Sequence, residues 1–252
     1  MKRKKKNTPP GFYRKELENG RIVFALQGDS LDIYTVHEDV KDELDPLMTP
    51  SANQFDCVRK HIERTNRFYW KVDLSSAFDS VTFHSVACWW DLPTYVRCCP
   101  MLFFHKDGGL IQGARASPKI FQLFCQRALD PYLEEFCRKN AIVYTRFADD
   151  LLFSSRVPIE KGAQRHIRDI IRTAGFRINE KKVVLADTFT TPIVYLGIRI
   201  FENNASVTEE FSNSLSDLEP GASKSGKLGW QRSVSAINRK KRKRFASPRK
   251  NG

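Results

Sequence analysis

The stretch Ile142-Val143-Tyr144-Thr145-Arg146-Phe147-Ala148-Asp149-Asp150-Leu151-Leu152-Phe153-Ser154-Ser155 decides how the rest of this 252-residue chain is read. Val143, Tyr144, Thr145 and Phe147 favour extended backbone, and Phe153 does the same on the far side. Between them, Ala148-Asp149-Asp150 reads as a hairpin turn, because aspartate tolerates turn angles. The pattern predicts a hairpin with two adjacent carboxylates at its tip. Two unit charges ~4 Å apart repel by about 4 kcal/mol at an effective dielectric of about 20. Charge concentrated in this way calls for a cation. Carboxylate oxygens suit Mg²⁺, which keeps part of its shell for substrate phosphates. The plain alternative is a solvated Asp-Asp turn with no role, and the dipeptide alone does not exclude it.

Composition narrows the setting. Hydrophobic residues are 41% of the chain, enough for a substantial core and against wholesale disorder. None of the six cysteines (Cys57, Cys88, Cys98, Cys99, Cys125, Cys137) forms a Cys-x-x-Cys pair, so no zinc site is expected. The basic start is not followed by an apolar run, and no stretch of about 18 apolar residues occurs, so neither a signal peptide nor a membrane span is expected. A reducing, cytoplasmic setting follows as the expectation. The net charge is +13. Lys2 to Lys6 and the basic residues Arg239 to Arg244, Arg249 and Lys250 account for all of it, which leaves the body of the chain balanced. Such tails bind polyanions by releasing counterions. Solubilising or targeting tails are the alternative.

Outward from the hairpin, the remaining segments take shape. Residues 1–10 read as a disordered basic arm. Glu18-Asn19-Gly20-Arg21 reads as a hairpin turn leading into a strand from Arg21 to Phe24. Residues 37–66 read as two helices, one beginning at Glu38-Asp39 and one capped by Ser51. Phe68 to Leu74 is an aromatic, β-prone run that carries Asp73, a carboxylate costly to bury unless paired or metal-bound. Helix capping is the plainer role for Asp73. Leu110 to Pro118 gathers small residues around Gln112 and Arg115, with Ser117 as cap of a helix running to about Arg138. Small residues there let a ligand approach the backbone closely. Further on come an amphipathic helix over 158–174, a strand Val183–Leu185 and a strand or strand pair over 193–200. A short helix over 207–218, a Gly/Ser/Lys linker at 220–227 and a last helix from Leu228 to about Arg244 complete the chain.

Three of these stretches, in this order, resemble reverse transcriptases. Asp73-Leu74-Ser75-Ser76-Ala77-Phe78 is similar to the family's motif A. Gln112-Gly113-Ala114-Arg115-Ala116-Ser117-Pro118 is similar to motif B, and Phe147-Ala148-Asp149-Asp150 to motif C. Gly175 to Lys182 looks like motif D and Tyr195-Leu196-Gly197 like motif E. The aromatic-Ala-Asp-Asp form of motif C resembles bacterial retron, group II intron and defence-type enzymes. The resemblance implies an α+β right-hand polymerase, with an antiparallel palm sheet carrying the Asp-Asp hairpin and packed on helices. It implies fingers at 11–66, a palm at 67–200 with fingers segments at about 83–120, and a short helical thumb with a basic tail at 201–252.

The same resemblance implies a chemistry and assigns roles. Deoxynucleotides are added to a 3′-hydroxyl on an RNA template and a DNA or RNA primer, with two Mg²⁺ ions, or Mn²⁺, as cofactors. Asp73, Asp149 and Asp150 supply the metal-binding carboxylates, and Leu74 offers its backbone carbonyl. Phe78 is the steric gate against a 2′-hydroxyl. Gln112 and Gly113 lie against the nucleotide, Arg21 and Arg14 reach the triphosphate, and Lys182 is a candidate general acid for pyrophosphate. RNA-copying viral polymerases usually carry a second Asp at the gate position and Gly-Asp-Asp in motif C. This chain has neither, which favours a DNA product. Phe147 replaces the more usual Tyr of motif C, and the region after 201 is short for a thumb, so a cognate structured RNA or accessory protein is a further expected partner. Two alternatives stand beside this function. One is a catalytically degenerate RNA-binding scaffold. The other is a template-independent DNA polymerase of a defence system.

Overall fold

A computed structural model describes residues 8–18, 20, 22–28, 31–50, 52–105, 108–217 and 221–245, with the side chains of 222 and 239–245 excepted. In chain order the elements begin with β1 (Phe12–Glu16), β2 (Ile22–Leu26), α1 (Leu31–Leu44), α2 (Gln54–Glu63) and β3 (Phe68–Ser75). Next come α3 (Ala77–Ser80), α4 (Phe83–Val86), α5 (Thr94–Cys98), α6 (Ser117–Ala128) and α7 (Asp130–Lys139). The hairpin β4 (Val143–Phe147) and β5 (Asp150–Ser155) leads to α8 (Lys161–Thr173), β6 (Arg177–Ile178) and β7 (Val184–Asp187). The chain ends with β8 (Ile193–Tyr195), β9 (Ile198–Phe201), β10 (Asn204–Val207), α9 (Glu209–Ser216) and α10 (Ala222–Phe245). It divides into two units. One comprises 1–50, 74–133 and 168–177; the other comprises 51–73, 134–167 and 178–252. Helix α2 falls in the second unit, although the sequence reading places it in a fingers segment at 11–66. Among the described residues no helix is long and apolar enough to cross a membrane.

The first unit holds the β1–β2 hairpin over a small core of Phe12, Phe24, Ile111 and Ala114. Thr8, Pro9 and Pro10 of the expected arm lead into β1, and Pro9 is buried; residues 1–7 lie outside the described residues, as do Asn19 and Arg21 of the expected turn. Helix α1 begins at Leu31, not at Glu38. A second aromatic group joins Phe78, Phe121, Phe124 and Phe176, with Phe78 stacked on Phe121 at 4.9 Å. The helix expected from Ser117 to Arg138 is two helices, α6 and α7, parted at Leu129. Pro131 explains the break, since it has no N–H to donate and its ring clashes with the carbonyl four residues back. Ser117 is not the cap either: it lies buried inside α6, and Ala116 holds the cap position without a side-chain bond.

The second unit is built on the larger sheet. Its order is β4-β5-β3, with β6 and β7 next to β3, and β4, β5, β3 and β7 pair antiparallel. One face packs on Cys57, Val58 and Ile62 of α2 and on the smaller sheet β10-β9-β8. Asn53 caps α2 by accepting from the Asp56 N–H, in the role assigned to Ser51, which lies outside the described residues. The 193–200 segment is a strand pair whose two turn residues, Leu196 and Gly197, both have positive φ, as a two-residue hairpin of matching twist requires. Helix α10 starts at Ala222, inside the expected linker. Val234 and Ile237 are buried, and Trp230 lies 5.0 Å from Phe55. That packing extends the helix over residues of low propensity. The Asn238 amide both donates to the Ala205 carbonyl (2.8 Å) and accepts from the Ala205 N–H (2.9 Å), so α10 pairs with the edge of β10 as a strand would.

Candidate active site

The second unit brings Asp73, Asp149, Asp150 and Lys182 together. Asp73 on β3 stands directly opposite Asp150 on β5, and Phe147 on β4 stands on the other side of Asp150. Paired residues share a face of the sheet, so the two carboxylates project side by side. The turn is shorter than the sequence suggests: it consists of Ala148 and Asp149, and Asp150 is already the first residue of β5. Ala148 closes it at φ +51°, a left-handed backbone that costs about 1–2 kcal/mol for a residue with a Cβ. Arg146 Nη1 supports it with a bond to the Ala148 carbonyl at 3.0 Å. Asp73 is not a helix cap. It lies within β3, and α3 begins only at Ala77, after Ser76, itself at φ +51°. Backbone strain of this kind gathers at functional sites.

Electrostatics follow from the register. Asp73 is buried and takes Lys182 Nζ on Oδ1 at 3.0 Å and Asn179 Nδ2 on Oδ2 at 3.3 Å. Its backbone carbonyl accepts from the Asn179 N–H at 2.8 Å. Burial raises the pKa of Asp150. The negative charges of Asp149 and Asp73 add to that, and Lys71 and Lys182 oppose it. Lys182 moves upward too, first through its bond to Asp73 and then through the surrounding carboxylates, so it stays protonated. Lys71 lies two residues before Asp73, on the same face, with Nζ on the Val194 carbonyl at 3.1 Å. Tyr195 of motif E donates its hydroxyl to the Asp150 carbonyl at 3.3 Å. Lys71 and Asn179 did not stand out in the sequence. Period two along β3 from Asp73 would have found Lys71. Nothing local marks Asn179.

Among the described residues no three His, Cys, Asp or Glu side chains are placed to hold a cation unaided. The facing pair suits a hard cation that takes one or two carboxylates and completes its shell with water and phosphate oxygens. The repulsion felt by Asp150 is what such a cation relieves.

The remaining candidates belong to the first unit. Leu74 is buried. Phe78 is half-buried against Phe121, and its carbonyl accepts from the Leu110 N–H at 2.9 Å. The Gln112 carbonyl accepts from the Phe24 N–H at 2.7 Å. Gly113 has φ +104°, and a Cβ there would lie 2.3 Å from the Phe24 carbonyl oxygen. β2 therefore clamps the Gln112-Gly113 backbone and admits only glycine. On its other flank, Arg115 pairs with Glu38 and lies over the Tyr34 ring at 4.6 Å. Arg14 sits on the open face of β1, 3.6 Å from Glu16. Arg21 lies outside the described residues.

Comparison with known proteins identifies the family. Residues 30–200 match the family model described as reverse transcriptase (RNA-dependent DNA polymerase). The chain is 37% identical over 130 residues to the Retron Ec86 reverse transcriptase of Escherichia coli, covering 47% of this chain and 38% of that one. With the Retron Ec83 reverse transcriptase of the same organism it is 26% identical over 209 residues, covering 72% and 62%. The chain thus spans less than two thirds of the length of these curated relatives. Among solved structures, a foamy viral protease-reverse transcriptase in complex with ds DNA superposes at TM-score 0.51 and 17% identity, covering 96% of this chain and 40% of that one. Telomerase from Candida albicans superposes at TM-score 0.53 and 12% identity, covering 78% and 46%. These two likenesses concern the fold, a palm-and-fingers arrangement of helices and antiparallel sheet.

Proposed function

The chain belongs to the reverse transcriptase family, and on that premise we propose that it adds deoxynucleotides to the 3′-hydroxyl of a primer under the direction of an RNA template. The observation that carries this reading is the rung where Asp73 faces Asp150, with Lys182 bonded to Asp73. Asp73, Asp149 and Asp150 would hold two divalent cations, Mg²⁺ or Mn²⁺, with the Leu74 carbonyl as a further oxygen ligand. Such ions neutralise the attacking and leaving oxygens of a phosphoryl transfer. Lys182 carries its proton at Nζ among carboxylates, where it can release Asp73 and donate to the departing pyrophosphate. Phe78 excludes a 2′-hydroxyl from the sugar site, and Gln112 with Gly113 lies against the nucleotide. Arg14 and Arg21 meet the triphosphate. The basic tails add sequence-independent grip on the template–primer. A cognate structured RNA or an accessory protein is a further partner in this reading.

Primer extension on an RNA template of defined sequence tests the reading. Product complementary to the template is the expected outcome. Product of random sequence would replace it with untemplated synthesis, and tight RNA binding without product would replace it with a scaffold.

A further inference from the structure

A buried polar chain runs between α2 and the two strands of the Asp149–Asp150 hairpin. His61 of α2 is fully buried, with Nδ1 2.6 Å from Ser154 Oγ on β5 and Nε2 2.8 Å from Thr145 Oγ1 on β4. Asn66 Nδ2 donates to the same Ser154 oxygen at 2.7 Å. Beside this chain, Tyr195 donates its hydroxyl to the Asp150 carbonyl at 3.3 Å. We propose that His61 is a positioning residue, which ties both strands of the Asp149–Asp150 hairpin to α2 through one directed hydrogen-bond chain. As a statement about catalysis, this rests on the function proposed above. The chain itself does not.

The direction follows from what each atom can do. The Asn66 Nδ2 group can only donate, so the Ser154 oxygen accepts from it. The Ser154 O–H then donates to Nδ1, which places the imidazole proton on Nε2, where it is donated to the Thr145 oxygen. The aligned bonds reinforce one another in a dry interior. Burial depresses the His61 pKa to about 3, so the ring stays neutral and keeps one donor and one acceptor at any working pH. A shift of the hairpin relative to α2 would break the chain at two places.

The test has two arms. The first is ¹⁵N NMR of the full chain without nucleotide or metal. It should find the His61 proton on Nε2, with Thr145→Val moving the ring toward the Nδ1–H tautomer. A parent protein already protonated on Nδ1, or indifferent to Thr145→Val, would overturn the chain. The second arm is single-nucleotide incorporation per folded molecule. Thr145→Val and Ser154→Ala should each slow it by about tenfold or more, since small misplacements near a reacting centre can cost up to about 10²-fold. The double variant should be no slower than the worse single one, because both cut the same chain. His61→Gln, which keeps an amide near the Nε2 position, should recover rate that His61→Leu loses. Variants that melt lower yet incorporate at the parental rate would overturn positioning and leave packing. An inactive parent with the Nε2–H tautomer would overturn the proposed function while upholding the chain.

Discussion

At the level of single side chains, Asp73 and Asp150 share one rung of a sheet, and each bears the consequence differently. Lys182 and Asn179 satisfy Asp73, whereas burial and like charge raise the pKa of Asp150. The folded state therefore binds the Asp150 proton more tightly than the unfolded chain does. Stability falls as pH rises from the ordinary carboxylate range to the raised value, and above that the loss is complete. Asp150→Asn removes the penalty, so at neutral pH the variant should melt at or above the parental temperature. The difference should fade below the ordinary carboxylate range; melting both proteins across pH checks this. Phe78→Val should admit ribonucleotides in competition assays. It should also forfeit the stacking on Phe121, worth about 0.5–1.5 kcal/mol beyond its buried area. The carboxylates stood out in the sequence because charge is costly next to aromatic, β-prone residues. The partnership of Asp73 with Lys182, 109 residues away, did not, since only the fold brings them into contact.

Elements show where local rules suffice and where packing overrides them. Asn53 and Pro131 are local signals, and the chain obeys both. The Leu196-Gly197 turn is equally local. The early start of α10 is not, because Gly226 and Gly229 argue against a helix there and the packing of Trp230, Val234 and Ile237 overrides them. The clamp of β2 on the 112–113 backbone is likewise invisible in sequence, where Gly113 reads simply as a small residue beside a ligand. Gly113→Ala should cost about 1–3 kcal/mol through the left-handed backbone, with the Phe24 carbonyl adding a steric penalty, read as a lower denaturation midpoint. Asn238→Ala should cost about 1–3 kcal/mol, because it leaves both backbone groups of Ala205 without their partner.

For the molecule as a whole, charge and catalysis separate. The body is balanced and the excess lies in the two tails, whose side chains lie outside the described residues. Removing residues 1–6 should lower the salt dependence of template–primer binding, each lost phosphate contact flattening the log–log slope by about 0.7–0.9. Removing 239–252 should do the same and also lower the melting temperature, because α10 runs to Phe245 and its anchor Asn238 would then stand at the chain end. The α+β class and the order of motifs were legible from spacing along the chain. The division into two units was not, since it interleaves distant segments. That the chemistry sits at the Asp73–Asp150 rung is tested most directly by single-turnover incorporation of a deoxynucleotide by Asp73→Asn, beside its thermal melt. We expect incorporation to disappear while the melt stays close to the parental one; incorporation at a rate near the parental one would contradict the assignment.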